Sequence, residues 1–95
     1  MLAVILESGE RDRLYTALSL LVSTAAEGEA ARGLLSFGAL PALVAGAADA
    51  ELWAAARELD IPLHACAAAG DPGPFEVISM PRFLKETAGA RLVVV

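Results

Sequence analysis

Leu2-Ala3-Val4-Ile5-Leu6 is an unbroken apolar run, closed by Ser8-Gly9 and followed by a stretch in which Leu14, Ala17, Leu18, Leu21, Val22 and Ala25 recur at spacings of three and four. The run is too short for a helix and has no polar alternation, so it predicts a strand buried on both faces. The stretch after it predicts an amphipathic helix, with Ser8 or Asp12 as N-cap candidates and Gly28 as its stop. A strand buried on both faces and followed at once by a helix belongs to a parallel α/β sheet.

The rest of the chain repeats that alternation. Ala30 to Phe37 predicts a second strand, and Ala39 to Ala45 a short helix or turn that admits Pro41 near its start. Asp49 caps a further helix whose Leu52, Trp53, Ala56 and Leu59 share one face. Pro62 to Cys66 predicts the third strand and Phe75 to Ile78 a minimal fourth. Ser79 and Pro81 open a last helix ending near Gly89, before a terminal strand from Arg91 to Val95. The expected architecture is α/β: a single three-layer α/β/α domain spanning residues 1–95, with a mostly parallel five-stranded sheet.

Composition bounds what such a domain does. The net charge of −5 and an isoelectric point near 4.6 argue against nucleic acid, which needs a basic face. No apolar run approaches the roughly 18 residues of a membrane span. The first residues lack the basic leader and cleavage site of a signal peptide, and a lone cysteine offers no internal disulfide, so a reducing cytoplasm is the expected location. Yet 57% of the residues are hydrophobic and the mean hydropathy is +0.60, more than a chain of this length buries alone. A homo-oligomer is the expected outlet, with the apolar segment Ala39 to Ala48 as its contact.

Cys66, the only cysteine, ends the run Ile61-Pro62-Leu63-His64-Ala65-Cys66 just before a loop rich in Ala, Gly and Pro. In an open parallel sheet that is the carboxyl end of a strand, where ligands and chemistry gather and helix N-termini favour an anion. A thiolate there is a candidate nucleophile. A free cysteine is also, as often, a small buried hydrophobe. His64 points to the same face as Cys66, two residues away, either to assist the thiol or to pack under a helix. Ser8 and Gly9 form either a small anion cradle or a plain turn, since no complete nucleotide-binding fingerprint is present. Arg11, Arg13 and Arg82 fall at helix starts, where they serve an anion at that edge or remain solvated. One His and one Cys without ligand spacing imply no metal.

Taken in order, Leu-Glu-Ser-Gly at 6–9, Arg-Leu-Tyr-Thr-Ala-Leu at 13–18, Ile-Pro-Leu-His-Ala-Cys at 61–66 and Ile-Ser-Met-Pro-Arg-Phe-Leu at 78–84 resemble the DsrE/DsrF-like family of small sulfur-handling proteins. The resemblance implies trimers or hexamers, and a strand-end cysteine at Cys66 that carries sulfane sulfur as a persulfide between donor and acceptor proteins, with no cofactor. It would make the chain a sulfur carrier or transferase. The other reading is a non-catalytic interaction or small-ligand-binding module on the same fold, with Cys66 inert.

Overall fold

A computed structural model describes residues 1–95 and has the expected α/β class. The elements in chain order are β1 (Leu2–Leu6), α1 (Arg11–Ala26), β2 (Ala31–Leu35), α2 (Ala39–Val44), α3 (Ala50–Glu58), β3 (Leu63–Cys66), β4 (Glu76–Ile78), α4 (Met80–Glu86) and β5 (Arg91–Val94). The five strands form one sheet in the order β4-β3-β2-β1-β5, and every neighbouring pair is parallel.

The strand order decides which face each helix covers. From β1 to β3 the chain steps in one direction, so right-handed crossovers lay α1, α2 and α3 on the same face. From β4 it returns past three strands to β5, and that crossover puts α4 on the opposite face. The core divides accordingly. Leu2, Val4, Leu6, Leu35 and Ala65 pack with Leu14, Leu18, Leu21, Leu40 and Leu43 on one side. Ala3, Ile5, Leu34, Cys66 and Ile78 pack with Phe83 on the other. The layers are thus unequal: a seven-residue helix alone covers the second face.

Local chemistry fixes the ends. Asp49 accepts hydrogen bonds from the amides of Glu51 and Leu52, and Ser79 Oγ accepts one from Arg82, so both expected caps form. Gly28, with φ of 87°, ends α1 in the left-handed conformation that a glycine adopts without strain. The N-cap of α1 is a correction: it is Glu10, with no side-chain bond, because Ser8 Oγ is turned to accept from the Glu10 amide. Within the segment expected to make the oligomer contact, Ala39, Leu40 and Leu43 of α2 are buried in the subunit core, Leu43 at 6% exposure, while Val44 remains exposed.

No helix is long and apolar enough to cross a membrane.

Candidate functional site

Cys66 is the last residue of β3, paired with Ile78 of β4, and its side chain lies on the α4 face of the sheet. It is 7% exposed. What exposure it keeps opens onto a cavity of about 210 Å³ lined by Ser36, Phe37, Cys66, Ala68, Ala69 and Met80. These residues come from three successive carboxyl ends: the turn after β2, the loop after β3 and the start of α4. The chain leaves β2 toward one face of the sheet and β4 toward the other, with Cys66 between, so the cavity occupies the crevice created by that divergence.

The turn at Phe37 shapes one wall. Phe37 adopts φ of 45°, uncommon for a bulky residue, and its side chain is 68% exposed beside the cavity. Its neighbours hold it there. Ser36 is buried and donates its hydroxyl to the Leu6 carbonyl, and the Gly38 amide donates to the Glu7 carbonyl. Gly9 packs directly on this turn: a Cβ on Gly9 would lie 2.6 Å from the Gly38 carbonyl oxygen, closer than real contacts allow. Gly9 is therefore glycine because two backbones meet. It supports the cavity through Gly38 and does not line it, and neither does Ser8.

The remaining candidates sit apart. Arg82 donates its Nε to Glu86 Oε2 at 2.8 Å along the exposed side of α4 and is not among the cavity residues. Glu86 also receives Arg32 at 3.0 Å, and the two guanidiniums, Arg82 first, hold its carboxyl below the usual glutamate range. Arg32 in turn lies over the Phe83 ring, 5.6 Å from its centroid. Arg13 approaches Glu10 at 4.0 Å, and Arg11 lines a separate hollow with Tyr15 and Asp49. His64 occupies the Cys66 face but does not reach the cavity. Its Nδ1 is buried without a hydrogen-bond partner, between Leu34 and Glu76 in the register.

Sequence reasoning located Cys66 at a strand end but missed Phe37, Ala68 and Met80 as the walls around it. The usable signal was positional: each follows the carboxyl end of a strand. The backbone amides of Phe37 and Ala68, in the two loops that line the cavity, donate to no group of the chain. No three His, Cys, Asp or Glu side chains converge to hold a metal ion. A larger cleft, about 390 Å³, lies among Trp53, Arg57, Asp60, Ile61 and Phe75 on the opposite face, but it contains no thiol, so the sulfur chemistry is sought at Cys66.

Chemically, the arrangement offers one soft, polarisable sulfur in a small apolar chamber with unclaimed amides at hand. Compared with known proteins, the chain matches no family model, and no curated protein matches it either.

Proposed function

We propose that the protein is a sulfur carrier in which Cys66 holds sulfane sulfur as a persulfide. The observation that carries this reading is the thiol's position: it lies at the carboxyl end of β3 and opens only onto the 210 Å³ cavity. The Cys66 thiolate attacks the outer sulfur of a donor persulfide, forming a new S–S bond as the donor thiolate leaves. An acceptor thiolate then attacks the outer sulfur on Cys66 and regenerates the Cys66 thiolate. No external oxidant or reductant enters, since sulfur at the same oxidation level passes from thiol to thiol.

The chain's own residues have defined parts in this scheme. Phe37, Ala68, Ala69 and Met80 exclude water from the carried sulfur, which suits a soft, weakly hydrated group. The free amides of Phe37 and Ala68 donate to the terminal persulfide anion. Gly9 and Gly38 keep the Phe37 turn in place. Resemblance of the strand-end motif to DsrE/DsrF-like proteins supports the same role, and with it a homo-oligomer served by donor and acceptor proteins in the cytoplasm.

A second reading is favoured by one specific observation: no base or cation lines the cavity, and Arg82 is engaged by Glu86 instead. On that reading the pocket is a small-ligand site or a packing feature, and Cys66 is inert. Alkylation decides between them. A carrier's Cys66 reacts with a small thiol reagent in the folded protein to give a thioether that a reductant leaves intact, whereas after incubation with a persulfide donor the reagent caps the outer sulfur and a reductant releases it again as the S–S bond is cleaved. An inert Cys66 reacts only on unfolding, with or without the donor.

A further inference from the structure

The free edge of β5 combines two features in the same residues. The amides of Arg91 and Val95 donate to the Met1 and Ile5 carbonyls, and the Glu7 amide donates to the Val95 carbonyl. By strand alternation Arg91, Val93 and Val95 turn their backbone groups toward β1. Leu92 and Val94 therefore turn both N–H and C=O away from the sheet, toward solvent. Their side chains face the side covered by α4, in register with Ala3 and Ile5, and are 51% and 55% exposed.

Natural edge strands are blunted by charge, proline, bulges or brevity. Strand β5 has four residues and carries no proline, bulge or charge from Leu92 to Val95, and the cation that begins it, Arg91, is held by Glu29 at 2.9 Å. The opposite edge differs. Strand β4 has three residues and begins with Glu76, so it is protected by brevity and charge. The exposed backbone of β5 needs a strand of matching length and apolar character, and the chain supplies one in another copy of itself.

We propose that two copies join by antiparallel pairing of their β5 strands about a two-fold axis at Val93. That register sets Leu92 of one protomer opposite Val94 of its partner, and the reverse. These are the residues whose N–H and C=O face outward, so each pair exchanges both hydrogen bonds and no outward group on Leu92 or Val94 is left over. A register shifted by one residue would oppose inward-facing groups. On the α4 side the same pairing brings Leu92 and Val94 of both copies into one apolar stripe between the two α4 helices, each of which exposes Leu84. The contact is self-complementary, as an isologous interface must be. It stands apart from any role of Cys66.

The test uses sedimentation equilibrium together with amide exchange on the unmodified protein. The pairing requires a dimer or a higher even-numbered assembly, with the Leu92 and Val94 amides exchanging about tenfold or more slowly as concentration rises past the dissociation constant. Leu92→Lys halves the mass while the circular dichroism spectrum is retained. A monomer at all concentrations, a trimer (which has no two-fold axis), or rapid exchange at Leu92 and Val94 independent of concentration overturns the proposal. Should Leu92→Lys not fold, the exchange measurement decides alone.

Discussion

Phe83→Ala tests both halves of the structural account, the unequal layers and the enclosure of Cys66. Phe83 is fully buried and is the one large side chain of α4 in the core cluster on its face, where it packs with Ala3, Ile5, Leu34, Cys66 and Ile78. Removing a buried aromatic ring costs about 3–5 kcal/mol through lost transfer energy and the cavity left behind. A chain of this length has about 5–14 kcal/mol of total stability, so the change removes a large share of it. The loss of the Arg32 contact over the ring adds to the same direction. Because Met80 at the start of α4 lines the Cys66 cavity, weakening the hold of α4 also exposes the thiol further. If Cys66 reacts through α4 opening, a weakening of ~3–5 kcal/mol raises its alkylation rate roughly a hundred- to several-thousandfold. Urea denaturation read by Trp53, on the far face, gives the global loss, and alkylation under native conditions gives the local one. A stability loss below about 1 kcal/mol, or an unchanged alkylation rate, would refute the claim that Phe83 anchors α4 against the Cys66 face.

Leu43→Asp should abolish cooperative folding rather than dissociate an assembly, because it places an unpaired carboxylate among Leu14, Leu18 and Leu40; a folded variant of lower mass would return α2 to an interface. Gly9→Val should destabilise the protein by about 1–3 kcal/mol in denaturant titration, since the backbone of Gly38 must move to admit the side chain, and parental stability would contradict that contact. Glu86 and Glu29 are both depressed, Glu86 by Arg82 and then Arg32, Glu29 by Arg91 and the N-terminal ammonium. Their folded-state values lie below the ordinary 4.5, so their stabilisation is present above that pH and is lost as pH falls through the depressed values. The melting temperature of Glu86→Gln should therefore fall less than the parent's between about pH 6 and about pH 3, and an identical fall would contradict the ion pairs.

The order of elements was legible because each strand or helix carries its own period or punctuation: the apolar run at Leu2–Leu6, the three-and-four spacing of α1, and the caps at Asp49 and Ser79. The fate of α2 was not. Pro41 and the shortness of the segment suggest a poor core helix, yet six residues suffice when Ala39, Leu40 and Leu43 all find partners across the sheet. Face assignment was equally hidden, since periodicity does not contain strand order, and only the return of the chain from β4 to β5 isolates α4. Around Cys66, the strand-end position could be read from the apolar run and the loop after it. The cavity could not, because it depends on the left-handed turn at Phe37 and the meeting of Gly9 with Gly38, residues far apart in the chain.

The most direct measurement is mass spectrometry of the Cys66 peptide after the protein is incubated with a persulfide donor and then with an acceptor thiol. The account predicts the mass of one added sulfur on Cys66, its disappearance as the acceptor gains it, and neither event in Cys66→Ser. Equal sulfur uptake and transfer by Cys66→Ser, or a parent Cys66 that remains unmodified with donor in excess, would contradict it.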